Sequence, residues 1–234
     1  MAKIFISVGH GGTDSGCVAV NGSYEKDMNL ALALLLRDEL ERHGHDVLMS
    51  RTTDEKDKTS DEVAECNAFK PDYAVSIHCN ASDKHTARGF EIYHTVNSGD
   101  AGVELAKNIN KAVVEAGYKS RGCKTKLNDQ NKDYFYWIRQ NKAPAVLCEM
   151  AFIDNEEDFS LLETEEGRKK MVIALLKGIL KTLGLSYVEE EVKNENIEKK
   201  DDVLAEVVPQ QKIEEIIDEF LNATRKILLH ILNK

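Results

Sequence analysis

Two periods of hydrophobic spacing alternate along the chain. Short runs rich in β-branched and aromatic residues cover 3–8 (Lys-Ile-Phe-Ile-Ser-Val), 45–50, 72–77, 89–94 and 145–149, and each reads as a strand. Between them the apolar positions fall three and four apart. Met28, Ala31, Leu32, Leu35, Leu36 and Leu40 stripe a helix over 24–43, which Ser23 is expected to cap and Gly44 to end. Further helices are predicted over 59–69, 100–116, 155–162 and 165–183, the last with Met171, Leu175, Leu176, Ile179 and Leu183 inward. Residues 119–132 are polar and aperiodic and read as a loop, whereas the pattern leaves the type of the aromatic segment 134–139 undecided. Alternating strands and helices predict an α/β fold: a mostly parallel twisted sheet flanked by helices on both faces, phosphorylase/hydrolase-like in kind.

The pattern changes after Leu185. Residues 186–210 are charged, with Glu189, Glu190 and Glu191 in a run, and read as a linker. Residues 211–234 carry Ile213, Ile216, Ile217, Phe220, Leu221, Ile227, Leu228 and Ile231 on one wide apolar face of an amphipathic helix. The organisation expected is therefore a domain at 1–185, a linker at 186–210 and a helix at 211–234. That helix would pack on the domain, make homo-oligomers or bind the domain's target.

Composition narrows the partners. A net charge of −10 argues against a nucleic-acid surface and gives no reason for docking on anionic lipid. No apolar run reaches the roughly 18–20 residues that span a bilayer. Met1 leads straight into the first strand without a basic and then apolar leader, so synthesis in the cytoplasm without a signal peptide is expected. Five cysteines without a C-x-x-C pair read as reduced thiols.

The chemistry gathers at strand ends, where open parallel sheets bind ligands. His10 leaves the first strand between Gly9, Gly11 and Gly12, His78 follows the third, and Glu149 closes the last. Glu25 opens the helix after His10. His10, Glu25 and His78 make the two-histidine, one-glutamate set of a catalytic zinc, one Zn2+ per chain, and Glu149 is the candidate general base. Blander readings exist: Glu25 in a first helical turn is favoured by the helix dipole alone, and a histidine at a strand end is usually no ligand. The glycines around His10 could instead cradle a phosphate, but no lysine–serine pair follows as in a P-loop. His43, His45, His85, His94 and His230 read as surface or capping residues.

These residues also carry a resemblance. Val8-Gly-His-Gly-Gly12 with Asp14, Gly16 and Glu25 resembles the opening of the zinc-dependent N-acetylmuramoyl-L-alanine amidases of the type 3 family. Ser76-Ile-His-Cys-Asn-Ala81 with Gly89-Phe-Glu91, and Pro144-Ala-Val-Leu-Cys-Glu149 with Phe152, Ile153, Asn155 and Asp158, resemble that family's second and third motifs. Cys17 and Cys79 stand where the family commonly has alanine. The resemblance implies zinc on His10, Glu25 and His78, and Glu149 as the catalytic glutamate. The implied reaction cleaves the amide between the lactyl group of N-acetylmuramic acid and L-alanine in bacterial peptidoglycan.

Such enzymes act outside the membrane, which with no export signal resembles a phage or prophage endolysin released at lysis. A sporulation mother-cell autolysin is the alternative setting. A zinc peptidase cutting the stem peptide and an inactive wall-binding module are alternative functions. By position, 119–132 is a candidate for reading the stem peptide.

Overall fold

The computed structural model describes residues 1–55 and 58–189. The helix expected at 211–234 and nearly all of the expected linker lie outside the described residues. Six strands form one sheet in the order β2-β1-β3-β6-β4-β5. They are β1 Lys3–Val8, β2 Asp46–Met49, β3 Tyr73–Asn80, β4 Phe90–His94, β5 Ser120–Lys124 and β6 Ala145–Phe152. The run β2-β1-β3-β6 is parallel, β4 lies antiparallel to β6, and β5 is parallel to β4. The mostly parallel sheet with helices on both faces is thus present.

Strand alternation sends the side chains to two unequal layers. Ile4, Ile6, Val8, Val75, Ile77, Val146, Cys148, Phe90 and Ile92 belong to the larger core. Helices α1 (Glu25–Arg42), α3 (Ala101–Glu115) and α6 (Glu165–Thr182) contribute Leu32, Leu36, Leu105, Ile109, Leu175 and Ile179 to the same core. The opposite face holds a smaller cluster around Phe5, Ala74 and Leu147. It is covered by Val63 and Cys66 of α2 (Thr59–Phe69) and by Trp137 and Ile138 of α4 (Tyr136–Gln140). Phe5 packs between Phe69 and Trp137, with ring centroids 6.4 and 6.0 Å away. The undecided segment 134–139 is therefore the aromatic lid of the minor core. On that face the sheet becomes polar past Leu147, and the site lies there.

Gly178 fixes how closely α3 and α6 approach. A Cβ built there would overlap the backbone of Ile109. Glycine-to-alanine in a helix interior normally stabilises by about 1 kcal/mol. Here overpacking reverses the sign, and Gly178→Ala is expected to destabilise by about 1–3 kcal/mol, as read from a denaturant midpoint.

Three expectations need correction. Residues 120–124 form strand β5 on the sheet edge. Its pairing with β4 supplies the order, although Ser-Arg-Gly-Cys-Lys contains no β-branched residue. The last strand runs on to Phe152, so Glu149 is inside β6, as His78 is inside β3, rather than at a strand end. Ser23 does not cap α1: Tyr24 is the N-cap without a side-chain bond, and the Ser23 hydroxyl donates to Asn21. The first helical N–H groups are satisfied by backbone carbonyls of the preceding loop, Glu25 to Cys17 and Lys26 to Ser15. The short helix near 155–162 is α5, Glu156–Phe159, whose first turn is held by the Asn155 side chain.

Candidate active site

Four sequence-distant residues converge where the minor core ends. His10 leaves β1 with φ of +62°, a left-handed conformation seldom adopted by residues other than glycine. Its loop is buttressed by the segment after β2. Buried Arg51 donates to the carbonyls of Gly9 and Lys26 at 3.3 and 2.8 Å, and Lys26 Nζ reaches Gly12 O and Asp54. Gly9 answers to a close approach, since a Cβ there would occupy the His78 ring.

The donor atoms of His10, Glu25 and His78 all lie within 4.8 Å of one another. His10 Nε2 stands 3.2 Å from Glu25 Oε2, and His78 Nδ1 stands 3.1 Å from Glu25 Oε1. The other nitrogen of His10 faces Asp14 Oδ2 at 2.9 Å, which orients the ring. Glu25 is buried and also receives the amides of Cys17 and Cys79 and the Asn29 side chain, at 3.0, 3.1 and 3.2 Å. Burial pushes its carboxyl up, but the bonds from His10 and His78 outweigh it and hold the group well below the carboxylate range. In return the Glu25 bond lifts His10 to about 9 against its burial. His78 is raised too: desolvation lowers it, but the bond from Glu25 together with the charges of Glu149 and Glu25 outweighs that. A buried carboxylate flanked by two imidazoles is a ready place for a divalent cation. The donor set fits zinc.

Glu149 completes the constellation through sheet register. His78 pairs with Glu149 across β3 and β6, and Glu149 with Glu91 across β6 and β4, so the three side chains form one row. Among the described residues no group hydrogen-bonds the buried Oε2 of Glu149. Burial pushes this carboxyl up to about 7, only partly offset by nearby His78. A buried oxygen without a partner is costly and points to use.

The sign of its effect on stability follows. Its folded pKa lies above the unfolded value of 4.5, so ionisation opposes folding. The penalty is absent below pH 4.5, grows as pH rises from there to about 7, and is constant above. In the metal-free protein, Glu149→Gln is therefore expected to stabilise at pH 8 by on the order of 2–3 kcal/mol and to do little at pH 4. Thermal unfolding at the two pH values measures it.

A cavity of about 380 Å³ opens over the His78–Glu149 end of this row, lined by His10, His78 and Glu149, by Glu62 of α2, by Tyr134 ahead of α4 and by Tyr136 at its start. Beneath it Ser7 donates to Glu62 at 2.6 Å and lies 3.0 Å from Ser76. All four sequence-predicted residues are thus brought together. Sequence reasoning passed over Asn29, Asp14 as an orienting group, and the cavity walls. Asn29 had a signal, a polar residue four beyond Glu25 on the same helical face; the amides of Cys17 and Cys79 had none.

The fold and site define a mixed-sheet α/β protein carrying a His-Glu-His cluster beside a glutamate whose buried Oε2 has no partner among the described residues. Residues 4–181 match the N-acetylmuramoyl-L-alanine amidase family, and the chain belongs to it as a peptidoglycan hydrolase. It is 35% identical over 167 residues to a sporulation-specific N-acetylmuramoyl-L-alanine amidase of Bacillus subtilis, covering 70% of this chain and 61% of that one. It is 32% identical over 189 residues to the endolysin of Bacillus phage SPP1, covering 78% of this chain and 66% of that one. The crystal structure of an N-acetylmuramoyl-L-alanine amidase from Clostridium difficile 630 superposes with a TM-score of 0.72 at 28% identity, covering 78% of this chain and 97% of that chain.

Proposed function

We propose that this chain cleaves the amide joining the lactyl carbonyl of N-acetylmuramic acid to L-alanine, with zinc held by His10, Glu25 and His78. Glu149 is the general base and then the general acid. The observation that carries this reading is Glu149 itself, the register partner of His78 on the cavity wall, whose buried Oε2 has no hydrogen-bond partner among the described residues. When bound there, zinc supplies the Lewis acidity that activates water and polarises a carbonyl. The chain's own groups do the rest. Glu149 takes a proton from the attacking water and returns it to the departing L-alanine nitrogen. A carboxyl already lifted toward neutrality by burial suits both transfers. Asp14 and Asn29 keep the His10 ring and the Glu25 carboxylate in place.

The experiment is digestion of purified cell walls with and without a chelator, followed by mass analysis of the soluble products. Chelator-sensitive release of peptides with a free L-alanine amine, leaving intact glycan, supports the reading. Cleavage within the stem peptide would replace it with the peptidase, and inertness on walls with the binding module. The two biological settings, phage lysis and sporulation, match the two relatives above by name. Release to the wall at lysis is the setting we favour, tested by whether deletion delays host lysis or mother-cell lysis. For residues 211–234, sedimentation of the full chain separates self-association from the other roles.

A further inference from the structure

The row that runs from His78 through Glu149 ends at Glu91, and Glu91 gathers cations. It is buried, yet takes the Arg121 Nε–H and Lys124 Nζ on the same oxygen, the latter at 2.5 Å, and the Tyr93 hydroxyl on the other at 3.0 Å. These bonds outweigh burial and keep its carboxyl below the usual range. One buried carboxylate needs one counter-charge. Here two cations converge on one carboxylate at the end of an otherwise acidic row, in a protein whose net charge is −10.

The two cations are not spent on Glu91. Side-chain exposure of 40% for Arg121 and 29% for Lys124 leaves both within reach of solvent. Glu91 satisfies only one of the five N–H donors of Arg121 and one of the three of Lys124. Lys126, 3.8 Å above the ring of Tyr134 on the cavity wall, continues the basic edge. The position is also suitable. Glu91 is one strand from Glu149, about 4.8 Å, and the cations lie one ion-pair length beyond.

We infer that Arg121 and Lys124, preset by Glu91, form a carboxylate-binding subsite that reads the first free carboxylate of the stem peptide. This deepens the amidase reading and rests on it. In the substrate that carboxylate belongs to the residue following L-alanine, which is roughly one residue length of 3.3–3.6 Å beyond the alanine. In some walls it is free and in others amidated, so the pair would set which wall chemistry is preferred. A planar guanidinium fork recognises a carboxylate far better than its neutral amide.

The test compares two small synthetic substrates on the zinc-loaded full chain: N-acetylmuramoyl-L-alanyl-D-glutamate and the same molecule with the α-carboxylate amidated. The carboxylate form is expected to show a kcat/KM at least about tenfold higher, mostly through KM, with the advantage shrinking as salt rises. Arg121→Gln and Lys124→Gln should each pull that ratio toward one, and Arg121→Lys should retain part of it. Because the ratio is taken within one preparation, loss of folded protein cancels. Equal kcat/KM on both substrates, or a ratio untouched by both glutamine variants, overturns the inference. If neither substrate is cleaved, the amidase reading fails. The subsite is then decided by titrating the metal-free protein with L-alanyl-D-glutamate and its α-amide. Carboxylate-selective binding lost in Arg121→Gln upholds it, and equal or absent binding overturns it.

Discussion

Glu149→Gln is expected to lower kcat on cell walls by roughly 10²–10⁴-fold, the usual contribution of a positioned acid–base group, while zinc still binds at one ion per chain. The amide is nearly isosteric, so the cavity and the row His78–Glu149–Glu91 keep their shape. What disappears is the ability of the carboxylate on the cavity wall to accept a proton. Stripped of metal, the same variant should be the more stable protein at pH 8, because the burial penalty on the ionised carboxylate is gone. Lost activity with gained stability is the signature of a group kept for chemistry. Metal content and steady-state hydrolysis of the loaded protein, and thermal unfolding of the metal-free protein, read all three. Activity within a few-fold of wild type would remove Glu149 from the proposed mechanism.

Gly9→Ala is expected to abolish tight zinc binding as thoroughly as His78→Ala, although Gly9 has no donor atom to offer. The added methyl would stand where the imidazole of His78 now sits, and the backbones of β1 and β3 are locked together from Ile4↔Tyr73 to Val8↔Ile77. The ring is the part free to move, and moving it takes Nδ1 away from Glu25. The set then falls from three ligands to two, so zinc affinity should drop by at least a hundredfold in a competition titration, with hydrolysis falling in parallel. The buried cores are untouched, so the far-ultraviolet circular dichroism should not change. Unaltered zinc affinity would mean that the ring finds a second productive rotamer.

The sequence was most informative where one local rule acted alone. Ile4, Ile6 and Val8 alternate with Phe5 and Ser7, and the strand follows from that pattern. The stripe Leu32, Leu36, Leu40 could only be a helix facing a core. His10, His78 and Glu149 stood out because polar residues follow or interrupt apolar strands where parallel sheets present their sites, and Glu25 because it opens the helix after His10. Where a distant partner decided the outcome, the pattern was silent. Ser120–Lys124 is a strand only because β4 is there to pair with it. Tyr24 caps α1 without a side-chain bond because carbonyls from a folded loop take the duty Ser23 was expected to perform. Glu91 joins the site through an antiparallel register that no local signal encodes.

The place of β6 in the sheet has a consequence for the order in which the molecule can come into being. Among the described residues β6 is the last strand made, yet it sits in the middle, between β3 and β4. Until Ala145–Phe152 has left the ribosome, β2-β1-β3 and β4-β5 are separate pieces, each with a bare edge. The strand that joins them also carries Glu149. A nascent or truncated chain that stops short of it therefore has neither a closed sheet nor the proposed base, and wall-cutting activity arises only with the finished fold.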